Sequence, residues 1–310
     1  MVTRYLVVGD ATLDVTVAPS RPMRRGGDVT AVIRLGPGGQ GANVAVRLAR
    51  RGADVVLAAP IGDDAGGRLV REGLAAERVT LAGQPAARTA VVVALLDAGG
   101  DRSMLSDRQS IDPGGIGDAM AGMDWVHVSA YALIDDRDGD ALARALGVRP
   151  AGVRLSVAGG SIAPEPALVA RFLRRLGDAR PEILVVSREE AAALLDGPPQ
   201  LARVAAGDLS DRAGLVVVTA GSAGSAASLG GEIREAAAPE LRGPTLDSTG
   251  AGDAYVAALL ARLAPDGWPP GVDALGEAMD AASLAGAQVA RVIGAQAPVD
   301  GEAIASVPRR

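Results

Sequence analysis

Cysteine is absent from this sequence, so no disulfide or thiolate metal site can form and nothing in it demands an oxidising compartment. Lysine is absent as well; all 31 basic residues are arginine. That excludes Schiff-base chemistry, the lysine of a Walker A phosphate loop and the strand lysine of protein kinases. The single histidine, His127, cannot build an HExxH zinc site. Its neighbours Trp125, Val126 and Val128 read as a buried strand, so His127 is expected to be a packed core residue and a Ser-His-Asp site is poorly supported. Long apolar runs are missing too, and the longest falls far short of the roughly 20 residues of a membrane span. The opening residues, through Val7, Val8 and Gly9, read as a first strand and not as a cleaved signal peptide. A net charge of −6 argues against nucleic-acid binding, which needs a basic face to replace counterions. The expectation is a cytoplasmic enzyme with no membrane or nucleic-acid partner. Carboxylates, arginine and glycine-rich backbone are left to carry its chemistry.

With 48% hydrophobic and 22% charged residues, the chain can bury a substantial core. Short β-branched runs alternate with alanine- and leucine-rich stretches at helical spacing, the pattern of an α/β protein with a largely parallel sheet. Core strands are expected at 5–9, 55–59, 125–129, 153–157, 183–186 and 215–219. Helices fit between them at 42–51, 66–77, 138–146, 165–176 and 189–196, with Gly52 placed as a C-cap, and two more at about 252–263 and 275–292. Residues 12–18 and 28–35, and a hairpin of 88–96 and 102–105 turning at 97–101, break the alternation. These extra strands are expected to form a small sheet over one edge, a lid or an association surface. No repeat, linker or low-complexity tract divides the chain, so a single domain over 1–310 is expected, with the lid from about 12–35 and 88–105.

The most informative stretch runs Asp247-Ser248-Thr249-Gly250-Ala251-Gly252-Asp253 into an alanine- and leucine-rich helix. Free N–H groups and the positive end of the helix dipole collect at such a start, and glycines let a phosphate approach that backbone closely. Asp253 in the first turn has an ordinary explanation, since aspartate complements the dipole. Beside an anion hole it also supplies what phosphoryl transfer needs, a carboxylate to take a hydroxyl proton. Residues 247–260 resemble the second signature of the ribokinase-like, or PfkB, carbohydrate kinases. The resemblance implies that Asp253 is the general base and that Gly250, Ala251 and Gly252 form the anion hole.

A second glycine cluster spans Gly36 to Asn43. It contains a literal GxGxxG, and Asp63 follows Gly41 at about the spacing of a ribose-binding acid. But these glycines do not follow the first strand, and Asp63 lies beyond its own strand, which weakens a nicotinamide-dependent oxidoreductase. The same residues resemble the first family signature, G-G-x-G-A-N, as Gly38, Gly39, Gln40, Gly41, Ala42 and Asn43. Asn43 is the chain's only asparagine, and its amide can both donate to and accept from a hydroxyl. The resemblance assigns Gly38, Gly39, Gly41, Asn43 and, on the first strand–loop, Asp14 to acceptor binding.

Other pieces follow the family in order. Gly62, Asp63, Asp64 and Gly66 match a G-D-D-x-x-G turn, read as structural. Thr219, Gly221 and Gly224 resemble the loop beside the nucleotide, Ser283 falls on a helix facing the adenine, and Gly294-Ala295-Gln296 matches a late loop. Where the family has N-x-x-E, this chain has Ser187 and Glu190; the serine weakens a phosphate contact, while Glu190 keeps a role near Mg²⁺ through water. Asp247 and Thr249 stand where many members bind K⁺.

The resemblance implies a ribokinase-like, doubly wound, mostly parallel sheet with a small β-sheet lid. It implies transfer of the ATP γ-phosphoryl group, with Mg²⁺, to a sugar or related polyol. A nucleoside acceptor is the alternative within the same fold, and a catalytically silent binding protein stands behind it. Only 2% of the residues are aromatic and the lid segments have none, which favours a sugar over a base that needs stacking. Unpaired lid edges suggest a homodimer through the lid.

Overall fold

Successive side chains of the central strands enter two separate cores, as the period of two requires of strands covered on both faces. Tyr5, Val7, Ile183, Val185, Leu215 and Val217 pack into one; Leu6, Val8, Leu184, Val186, Val216 and Val218 pack into the other. The computed structural model describes residues 2–83, 85–96, 102–160, 162–240, 245–265 and 267–299.

The strands of the first half are β1 (Arg4–Val8), β2 (Thr12–Pro19), β3 (Ala31–Gly38), β4 (Asp54–Ala58), β5 (Thr80–Ala82), β6 (Ala90–Leu96) and β7 (Arg102–Asp107). Those of the second half are β8 (Trp125–Ser129), β9 (Arg154–Ala158), β10 (Ile183–Ser187), β11 (Leu215–Thr219), β12 (Ser225–Leu229) and β13 (Glu232–Ala236). The main sheet runs β13-β12-β11-β10-β9-β8-β1-β4-β5, parallel except for the β12–β13 hairpin at one edge. On one face lie helices α1 (Gln40–Arg50) and α2 (Ala65–Ala76). The opposite face is covered by α3 (Ile116–Ala119), α4 (Ala130–Ile134), α5 (Gly139–Gly147), α6 (Pro166–Ala179), α7 (Arg188–Leu194) and α8 (Ala202–Asp208). Helices α9 (Ala251–Leu263) and α10 (Val272–Val289) complete the α1 side.

The expected core strands and helices are all present, with ends displaced by a few residues. Gly52 follows α1 with φ of 86°, in the left-handed position just past the C-cap. Asp64 caps α2, accepting the Gly67 N–H at 2.7 Å, so the G-D-D-x-x-G turn is structural as read. His127 is fully buried in β8 with Nδ1 3.0 Å from Ser156 Oγ, and burial depresses its pKa to about 3. It packs in the core, as its neighbours suggest.

Four strands from the two inserted segments form a second sheet in the order β3-β2-β6-β7. Its strand β3 starts at Ala31 and not at 28, because the loop closes late, with the Ser20 N–H donating to the Thr30 carbonyl at 2.9 Å. The hairpin turn expected at 97–101 lies outside the described residues. Val32, Ile33, Leu35 and Leu105 are exposed on this sheet, while its Thr12 and Val92 are buried. Helix α9 is apolar on nearly every side, from Ala254 to Leu260, and sits between α1, α10 and the sheet. No described helix is long and apolar enough to cross a membrane.

Candidate active site

Two cavities of about 750 Å³ each meet at the turn that opens α9. Ser248 lies in the wall of both; Thr249, Gly250 and Asp253 face the first, and Ala251 and Gly252 face the second. Gly250 is the N-cap of α9 with φ of 77°, a conformation that costs an L side chain but not glycine. The Ala251 N–H is taken by the Ser248 carbonyl at 3.2 Å, so Gly252 and Asp253 supply the free first-turn N–H groups. Asp247 shapes the approach to this turn: its carboxylate accepts from the Thr249 amide at 2.9 Å and the Gly294 amide at 3.0 Å. These bonds, with that from the Thr249 hydroxyl, make Asp247 a backbone organiser whatever else it binds.

The first cavity combines lid and core. Thr12, Asp14, Val92 and Met104 come from the lid sheet, and Gly39, Gln40, Asn43 and Asp253 come from α1, its leading turn and α9. Asp14 accepts from the Thr12 hydroxyl at 2.6 Å, and burial raises its carboxyl above the usual range. The glycine signature divides in two. Gly39 reaches the cavity, whereas Gly41 presses on the chain just after β1, where a Cβ would stand 2.7 Å from the Gly9 Cα. Gly38, the last residue of β3, leaves the room that the Asp14 carboxylate occupies. Gly38 and Gly41 therefore shape the wall from behind it.

Asp253 sits half-buried at the cavity floor. Asn43 Nδ2 donates to its Oδ2 at 2.7 Å, and Gln296 Nε2 in turn donates to Asn43 Oδ1 at 3.0 Å. Burial raises the Asp253 pKa to about 6, against the pull of Asn43, Arg47 and Gln40 and with a push from Asp14. A carboxyl poised there is ionised near neutrality yet basic enough to take a hydroxyl proton.

Ser187 and Glu190 form a capping box at the start of α7. The Ser187 hydroxyl accepts the Glu190 N–H at 3.1 Å, and the Glu190 carboxylate accepts the Ser187 N–H at 2.8 Å. Glu190 also accepts the Ile162 N–H at 3.2 Å, and both residues line the first cavity. Serine thus keeps the capping duty an asparagine would have there. The second cavity gathers Thr219, Gly221, Gly224 and Ser283, all expected beside the nucleotide, with Tyr255 at its base.

Sequence reasoning passes over Gln40, because it occupies the variable position of the signature. Its amide bridges Ser129 Oγ and the Gly159 carbonyl at the ends of β8 and β9. It also overlooks Asp10, which is 4% exposed and paired with Arg108. The Arg108 guanidinium lies 3.7 Å over the Tyr131 ring, so this aromatic face of the cavity wall is already covered by the protein. Arg88 pairs with Asp107 on the lid and does not reach the cavity wall.

A family model described as pfkB family carbohydrate kinase matches residues 2–301. The fructokinase of Klebsiella pneumoniae is 32% identical over 276 residues, covering 84% of this chain and 87% of that one. Among solved structures, fructokinase from Vibrio cholerae O395 in its fructose-, ADP- and calcium-bound form has a TM-score of 0.76 at 25% identity, over 95% of this chain and 94% of that one. Adenosine kinase from Sinorhizobium meliloti has a TM-score of 0.79 at 23% identity, over 98% of each chain, and shares the fold.

Proposed function

Since this chain belongs to the PfkB family of carbohydrate kinases and is an ATP-dependent sugar kinase, we propose that its acceptor is an unphosphorylated sugar, with fructose the first to test. The sugar would occupy the first cavity, its hydroxyls on Asp14, Asn43 and the Gly39 backbone. ATP would occupy the second, along Thr219, Gly221, Gly224 and Ser283. The supporting observation is the turn at 248–253, which is a wall of both cavities and carries Asp253 on the acceptor side.

In this reading Asp253 takes the proton of the attacking hydroxyl, and the oxygen so activated forms a bond to the γ-phosphorus as the bond to ADP breaks. The first-turn N–H groups of Gly252 and Asp253, with the open backbone of Gly250 and Ala251, face the charge that spreads over the transferred group. A divalent metal, Mg²⁺ in our proposal, would neutralise phosphate charge when bound. Among the described residues no cluster of three or more His, Cys, Asp or Glu exists, so such an ion would draw on phosphate oxygens and water, with Glu190 as an outer partner. Glu190 suits that part, since two backbone N–H groups fix its carboxylate at the cavity wall. A K⁺ ion beside Asp247 and Thr249 remains part of the proposal, as does a lid-mediated homodimer of a single-domain chain.

A nucleoside acceptor is the second reading, favoured by Tyr131 in the cavity wall. The guanidinium on Tyr131 weighs against it, because a base would have to displace Arg108 or stack on its outer face. ADP release with Mg-ATP and a panel of sugars and nucleosides tests acceptor and activity together. Fructose or another sugar is expected to turn over fastest, and a nucleoside with kcat/KM above every sugar would overturn the acceptor. Asp253→Asn is expected to lower kcat by several orders of magnitude with ATP binding nearly intact, since an amide keeps the shape but cannot take the proton. More than about a tenth of wild-type turnover would remove Asp253 from that role.

A further inference from the structure

Gln296 lies on the loop after α10, behind Asn43 and outside the wall of the acceptor cavity. A carboxamide has a donor end and an acceptor end of nearly equal shape, so the partner at one end decides which end faces the other way. Gln296 Nε2 donates to Asn43 Oδ1 at 3.0 Å, which obliges the Asn43 NH₂ to face Asp253, at 2.7 Å. Donation to a carboxylate favours its ionised form, the form able to take a proton.

The loop that carries Gln296 is held by its backbone. Arg47 Nη2 donates to the carbonyls of Ala295 and Ala297 at 2.7 and 3.0 Å. Arg50 Nη2 donates to the Gln296 carbonyl at 2.8 Å and to Glu77 at 2.6 Å. Gly250 backs the same loop, and a Cβ there would lie 2.7 Å from the Ala295 Cβ. Placement of residues 295–297 thus rests on α1 and Gly250, and the Gln296 side chain is free to serve Asn43.

We propose that Gln296 is a positioning residue that acts through Asn43 to set the proton affinity of Asp253, and with it the acid limit of turnover. The proposal rests on the reading of Asp253 as general base. The other groups facing Asp253 are Gln40 and Arg47 from α1, which favour its ionised form, and Asp14 from β2, which opposes it. Arg108, beyond β7 and paired with Asp10, adds a further positive charge on the lid side. None of these depends on Gln296 for its place.

The test is kcat against pH at saturating sugar and Mg-ATP. Gln296→Leu removes the donor and frees Asn43 to turn its oxygen toward Asp253, so the acid limb is expected to rise by about one pH unit, a tenfold change in proton affinity. Gln296→Glu keeps the shape but reverses the hydrogen bond and is expected to raise the limb at least as far. An acid limb unmoved in a Gln296→Leu enzyme with wild-type melting overturns the proposal; should that variant fail to fold, an unmoved limb in Gln296→Glu does the same. Asp253→Asn in the same assay separates the two readings. If it stays active, the base assignment falls; if it is inactive and the limb of the Gln296 variants has not moved, only the role of Gln296 falls.

Discussion

Asp14 brings to the acceptor cavity a carboxylate with one oxygen already bonded to Thr12. A sugar hydroxyl on the other oxygen would make a hydrogen bond to a charged group, of about 1.5–3 kcal/mol. Asp14→Ala is therefore expected to raise the sugar KM about ten- to a hundredfold, with less effect on kcat at saturation. A steady-state KM within about twofold of wild type would take Asp14 out of acceptor recognition. At this scale the sequence was informative where a residue type is chemically irreplaceable. Asp253, Asp14 and the lone asparagine were visible because they stand at the polar positions of the motifs that the chain resembles. Their partners were harder to read: Gln40 and Arg108 act through contacts with residues far away in sequence, and the late-loop match of Gln296 gives no sign of its bond to Asn43. Gly38 and Gly41 show the converse. Their presence is plain in the motif, but their reason is backbone and carboxylate packed where a Cβ would go.

The lid is the element in which sequence and tertiary context most clearly share control. Its β-branched runs announced strands, and their ends moved because loop closure and pairing with β2 decide where β3 begins. The β12–β13 hairpin was not legible at all: Ser225–Leu229 reads SAASL, weak in strand preference, and pairs because β11 offers it an edge. Strands β3 and β7 leave the lid with two open edges and with exposed Val32, Ile33, Leu35 and Leu105. Open edges and apolar side chains together favour association with a second copy. Light scattering at micromolar concentration is expected to give the mass of a dimer, and Ile33→Glu to return it toward the monomer. A wild-type enzyme that is monomeric throughout that range would reject the association.

For the whole molecule, buried His127 and half-buried Asp253 titrate in opposite senses as it unfolds. His127 has a folded pKa of about 3 against 6.5 unfolded, so its contribution to stability is full above 6.5 and declines as pH falls toward 3. Asp253 has a folded pKa of about 6 against 3.8, so its contribution is full below 3.8 and declines as pH rises toward 6. Between about pH 4 and 6 the two slopes cancel, and stability is expected to be nearly level. Asp253→Asn removes the opposing slope, and urea unfolding is expected to show stability falling more steeply with acidification than in the wild type, by up to about 1.4 kcal/mol for each unit in that window. A wild-type slope equal to that of the variant would contradict the cancellation. Neither group could be weighed from sequence, because desolvation is a property of the assembled core.

Helix α9, buried from Ala254 to Leu260 between α1, α10 and the sheet, also divides the molecule in time. The amides of Ala254 to Leu260 are shielded and are expected to open to solvent only with the core itself, whereas the lid is a single sheet with much of its apolar surface in water. In the proposed reading, the helix that carries Asp253 stays assembled while sugars are tried and released many times against Asp14 on the lid.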